Sequence, residues 1–144
     1  MKIRPIITSL AMVLLGFAGP RVLAEEVHTP PAGSAERKAI MDGMRAWVLQ
    51  QHGIKAVFVV NALLVKNGYA WIDVNPQSPD GTNQYEPLQG VMQRNGNGAW
   101  QMVFPDVALE FIVGDNLSEA AAREKANALL LEQVPGIPRE LVPR

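Results

Sequence analysis

Few residues in this chain have the types and spacing that chemistry requires. It has two histidines, His28 and His52, and no cysteine, so a metal centre would need carboxylates to gather around an imidazole. His28 stands in a proline-rich stretch. His52 stands near the end of a helical pattern, where the dipole favours a histidine whether or not it does anything else. Neither makes a ligand motif with its neighbours, so no metal and no cofactor is expected. Without cysteine there is no thiol nucleophile and no disulfide. Ser34 and Ser118 fall where helix caps are due, Ser78 falls in a turn-rich loop, and none lies in a strand-turn-helix Gly-x-Ser-x-Gly. Asn95-Gly96-Asn97-Gly98 lacks the lysine and following helix of a phosphate loop and reads as a turn between strands. The carboxylates leave one arrangement: Asp73 with His52 or Tyr85 as a general acid–base pair, provided a curved sheet wraps them round a pocket. Against it stands a plainer reading, a solvated aspartate on the outer face of a strand, and no catalytic residue is expected.

The other resource is apolar contact, and the run from Val57 to Val74 concentrates it. Two apolar segments flank Asn67-Gly68, whose residues supply the positive φ angles of a two-residue type I′ turn, so the run should close as a tight hairpin. Counting outward from the turn pairs Lys66 with Tyr69, Val65 with Ala70, Leu64 with Trp71, Leu63 with Ile72 and Asn61 with Val74. Cross-strand partners share a face. Val59, Leu63, Val65, Ala70, Ile72 and Val74 then form one apolar surface. Phe58, Val60, Leu64 and Trp71 lie on the other, with Asp73 beside them. A single sheet layer exposing phenylalanine, leucine and tryptophan would carry a large apolar patch. Three covers are open to it: the chain's own second helix, a second copy, or a partner or ligand. Phe58, Leu64, Trp71 and Asp73 are therefore the candidate binding residues.

The elements around this hairpin follow from local signals. Ser34 offers an N-cap hydroxyl and Glu36 complements the dipole in the first turn. Ile40, Met41, Met44, Trp47 and Val48 recur at helical spacing, which predicts an amphipathic helix from about residue 35 to 50, ended near Gly53, to cover the first apolar surface. Gly43 costs that helix about 1 kcal/mol relative to alanine, so packing compensates or a neighbouring backbone approaches closely there. Asn75 to Asn83 is a loop. Leu88 to Arg94 and Ala99 to Phe104 make a second hairpin, with Leu88, Gly90 and Met92 on one face and Trp100, Met102 and Phe104 on one face. Val107 to Val113 reads either as a fifth strand or as a descending loop. Glu119 to Gln133 predicts a second helix with a stripe of Ala122, Ala126, Leu129 and Leu130. Its small alanines come first and its leucines last, so its later half should pack more strongly than its start. Pro135-Gly136 stops it before an extended tail.

The first residues point to a compartment. Lys2 and Arg4 precede an apolar run from Ile6 to Ala18, and Val22-Leu23-Ala24 places small residues at −3 and −1, the pattern of a secretory signal peptide cleaved after Ala24. The apolar run of roughly 13 residues falls short of the about 20 that span a bilayer. The absence of cysteine also excludes a cysteine-linked lipid anchor. Of 13 lysines and arginines, Lys2, Arg4 and Arg21 lie in the signal, leaving 10 against 14 acidic residues, a mature charge near −4. That balance gives no electrostatic case for nucleic acid or anionic lipid as the main partner. About 120 mature residues suffice for one core and not for two.

The helix start Gly33-Ser34-Ala35-Glu36-Arg37-Lys38-Ala39-Ile40-Met41-Asp42, with Phe58-Val59-Val60, Tyr69-Ala70-Trp71 and the later Ala99-Trp100-Gln101-Met102-Val103, resembles a group of small secreted proteins of Gram-negative bacteria. The likeness spans about residues 30 to 104 and leaves out the alanine-rich C-terminal part. Here the tryptophan of Tyr69-Ala70-Trp71 stands later than in the group's usual pattern. The resemblance implies export but no activity and no catalytic residue. The order of helix then curved sheet is similar to cystatin-like and NTF2-like folds, a likeness that carries no function.

The expected fold is α+β: an N-terminal helix packed on a four-stranded antiparallel meander sheet, plus a C-terminal helix. Residues 1–24 would be the signal, 25–33 a flexible leader, 34–134 one domain and 135–144 the tail. The expected function is a periplasmic or secreted, non-enzymatic binding module of the cell envelope. It would engage a protein partner or a second copy through the sheet face, without nucleic acid or a membrane-spanning segment. A small cone-shaped pocket enzyme or ligand carrier, and an inhibitor or immunity-type protein using the Asn75 to Asn83 loop, are the alternatives.

Overall fold

The Ser34 hydroxyl accepts a hydrogen bond from the Arg37 N–H at 3.2 Å, and from that cap the first helix, α1, runs over Ala35–His52. It closes at Gly53, whose left-handed backbone (φ 67) turns its N–H onto the Leu49 carbonyl. The structure, a computed structural model, describes residues 24–105 and 116–144. The expected signal segment and the run Val107 to Val113 lie outside the described residues, apart from Ala24.

Four strands follow: β1 (Val57–Lys66), β2 (Tyr69–Gln77), β3 (Leu88–Arg94) and β4 (Trp100–Pro105), antiparallel in the order β1-β2-β3-β4. Asn67 (φ 51) and Gly68 (φ 75) both take the left-handed conformation their turn requires. From that turn the pairing runs as the sequence predicts as far as Leu63 with Ile72. There it departs. Val60 pairs with Val74 and Ala62 with Asp73, leaving Asn61 as an extra residue in β1.

One inserted residue reverses the inside-outside alternation beyond it. Phe58 and Val60, expected on the outer face, therefore pack with Leu63, Val65 and Ile72 against α1. Val59, expected inside, is 49 % exposed. A second shift separates the pairs Val91–Phe104 and Met92–Met102, so Val103 is the extra residue in β4. Trp100 and Met102 face α1, but Phe104, expected to share their face, is turned to the opposite side.

The sheet is the middle of three layers. On one face Ile40, Met41 and Met44 of α1 pack on the hairpin residues together with Met92 and Trp100. On the other, the second helix α2 (Glu119–Gln133), capped by Ser118, and the segment after it bring Leu130, Val134, Ile137 and Leu141 onto Val91 and Phe104. Leu64, Tyr69 and Trp71 pack at the margin of this second cluster. Burying each of the larger side chains contributes about 1.5–3 kcal/mol, so the second layer is as much a part of the core as the first. Of the three covers open to the outer face, the chain's own C-terminal part is the one it uses.

Both ends of the described chain are held more firmly than expected. The tail, instead of being extended throughout, makes a short 3-10 turn at Arg139–Leu141, and the Glu140 carboxylate meets the Lys66 ammonium at 2.8 Å. The leader is fastened along the free edge of β1. His28 exchanges two backbone hydrogen bonds with Val65 (3.0 and 2.8 Å), the Asn67 N–H donates to the Glu25 carboxylate, and Pro30 is buried. Val27 reaches the outer cluster while the His28 ring reaches Glu36 on α1, so this strap closes the seam between the two helical layers.

Candidate functional site

The alternation along β2 puts Tyr69, Trp71 and Asp73 on the outer face, while Ala70, Ile72 and Val74 point to α1. Leu64 sits across from Trp71 in β1, and Val91 across from it in β3. Leu64 and Trp71 are thus brought together and half-buried, with Asp73 one alternate position along the strand. Phe58 is not part of this group, since the Asn61 bulge sends it to the far side of the sheet.

Asp73 has a settled role. Its two carboxylate oxygens accept hydrogen bonds from the Asn61 amide and the Gln89 amide, each at 2.9 Å, which ties the bulge in β1 to β3 across the width of β2. The acid–base arrangement considered above divides. His52 and Tyr85 do line one cleft of about 240 Å³, with Glu86 beside them and Val48 and Leu88 as apolar wall. Asp73 faces the other side of the sheet and cannot join them. Among the described residues no three histidine, cysteine, aspartate or glutamate side chains gather in a way that could hold a metal ion. Among them, too, no helix is long and apolar enough to cross a membrane.

A larger opening than this cleft lies over Trp71. Between the outer face and the first half of α2 there is a cavity of about 470 Å³, within the range that small ligands occupy. Trp71 and Phe104 give it an aromatic floor, and Ala122, Ala126 and Leu130 form the helix side. The gap follows from the order of side chains along α2. Leu130, 2 % exposed, brings the later half of the helix down onto the sheet, whereas the alanines before it are too short to fill the same distance.

Polar groups ring this floor. Gln89 rises from β3, Arg123 and Asn127 come from α2, and Pro143 and Arg144 come from the tail. Arg123 donates one hydrogen bond to the Arg144 main-chain oxygen (2.8 Å) and another to the Glu119 carboxylate (3.0 Å). Asn127 donates to the Pro143 carbonyl at 2.9 Å, so the tail is clipped to the helix beside the opening.

Gln89, Phe104, Arg123 and Asn127 were not foreseen as site residues. Gln89, Arg123 and Asn127 belong to no motif in the sequence, and Phe104 reads there as sharing a face with Trp100 and Met102. The one signal available was the alanine-before-leucine order of the second helix. Compared with family models, with curated proteins and with solved structures, the chain has no match.

Proposed function

We propose that this protein is an exported, non-enzymatic binding module of the cell envelope, and that it holds a small ligand on the outer sheet face in the cavity over Trp71. One observation carries the reading: a cavity of about 470 Å³ between the aromatic residues Trp71 and Phe104 and the alanine-lined first half of α2, with Gln89, Arg123 and Asn127 at its rim, as ligand sites are built. Export is supported by the signal-like start and by the resemblance to small secreted proteins. The chain's own C-terminal part already packs on Leu64 and Trp71, so a small ligand is the occupant that this cover favours over a protein partner or a second copy.

An uncharged aromatic probe, 2-naphthamide, tests this on the mature protein. Titration should move the indole N–H resonance of Trp71 and leave those of Trp47 and Trp100 in place. Filling the gap with Ala122→Met should abolish the shift while the fold persists. A wild type whose Trp71 signal is indifferent to the probe at about 1 mM would sink the reading.

A further inference from the structure

We infer that the cleft beside the C-terminal end of α1 binds a primary ammonium carried on a short apolar stem, with Glu86 as its counter-charge. The cleft, of about 240 Å³, is lined by His52, Tyr85 and Glu86 and by an apolar wall that includes Val48, Ile54 and Leu88. Leu88 packs with the cluster under α1, so this site lies across the sheet from the cavity over Trp71 and stands or falls without it.

Its electrostatics have one sign. Among the described residues that line it, Glu86 carries the one formal charge and none is lysine or arginine. The last turn of α1, which ends at His52, adds the partial negative charge of a helix C-terminus. Val48 is buried and Ile54 and Leu88 are half-buried, whereas His52 and Glu86 are exposed. The apolar wall is thus deep and the charge stands at the mouth, which suits a ligand whose stem points inward and whose charged head stays at the rim.

The polar groups are free to receive that head. Among the described residues, the side chains of His52, Tyr85 and Glu86 make no hydrogen bond and no ion pair. The His52 ring meets Trp47 edge-on, with ring centroids 5.6 Å apart, and its nitrogens are not used. Tyr85 comes from an anchored segment, since its backbone N–H donates to the Pro76 carbonyl at 3.0 Å. An ammonium has three donors and no acceptor, and a carboxylate, a phenol oxygen and an imidazole nitrogen can each accept. A neutral alcohol of the same shape would forgo the charge-assisted bond to Glu86.

The test titrates n-butylammonium and 1-butanol, alike in shape and different in charge, into the mature protein at constant pH while the His52 ring resonances are followed. Butylammonium should bind about tenfold tighter than butanol, and added salt should erode that advantage because the mouth is exposed. Glu86→Gln should bring butylammonium down to the level of butanol, and Tyr85→Phe should weaken it about threefold, with the Trp71 indole signal still throughout. Equal affinities in the wild type would overturn the ammonium assignment. A preference that survives Glu86→Gln would overturn the role of Glu86. His52 signals indifferent to butylammonium at about 100 mM, or a response at Trp71 in their place, would remove the site and leave the cavity over Trp71 to its own test.

Discussion

Gly43 in α1 lies directly against the main-chain carbonyl of Trp100 in β4, so closely that a Cβ on residue 43 would overlap the carbonyl oxygen. Helical propensity alone would reward an alanine there by about 1 kcal/mol. The close approach reverses the sign, because a strand backbone cannot step aside as a flexible side chain can. Gly43→Ala should therefore lose about 1–3 kcal/mol in urea unfolding, and a stabilised variant would show that α1 does not rest on β4 at this point.

The bulge at Asn61 sets which of two neighbouring residues is part of the core. Phe58 packs against the α1 side and Val59 is exposed, the reverse of an uninterrupted hairpin. Phe58→Ser should cost about 2–3 kcal/mol and Val59→Ser no more than about 0.5 kcal/mol. The opposite ranking in chemical denaturation would mean that Asn61 is paired and the strand runs straight.

Leu130 is the side chain that holds the roof down over the outer face. Leu130→Ala should lower stability by about 2–4 kcal/mol. It should also loosen the wall of the cavity, so that 2-naphthamide binds more weakly. Trp71 should become more accessible, read as faster solvent exchange of its indole N–H with the resonances of Trp47 and Trp100 little changed. Unaltered Trp71 exchange would mean that the C-terminal helix does not protect that face.

His28 couples the leader to pH. Its ring nitrogen lies 2.8 Å from the Glu36 carboxylate, and that hydrogen bond, helped by the Glu26 carbonyl and the Glu25 charge, raises the imidazole above its ordinary 6.5 despite a small opposing effect of burial. A group whose folded-state pKa is raised contributes stability that is fully present below its unfolded value and is lost as pH rises through the folded one. The strap at residues 25–30 should thus hold best below pH 6.5 and slacken above the raised value. An NMR titration of His28 checks this. The midpoint should lie above 6.5 in the wild type and fall back towards 6.5 in Glu36→Gln, and a midpoint unmoved by that change would remove Glu36 as the cause.

Much of the architecture is legible in the chain because it rests on local chemistry. Asn67 and Gly68 dictate a tight turn through their backbone freedom, Ser34 and Ser118 cap helices with their hydroxyls, and the spacing of Ile40, Met44 and Val48 marks one helical face. These signals yield the α+β order of helix, four-stranded meander and helix, and they place Leu64 and Trp71 opposite one another. Two facts escape them. An extra residue at Asn61 or Val103 has no local signature, since bulging is decided by which partner strand and which core side chains accept the longer strand. Yet each reverses the faces of the residues beyond it, which sends Phe58 inward and Phe104 outward. The cavity is likewise a product of layers meeting: Leu130 sets the height of α2, and Ala122 and Ala126 leave the space below it. Periodicity along a chain tells which side chains share a face. How far that face stands from the next one is a property of packing, and here it is packing that made a site over Trp71.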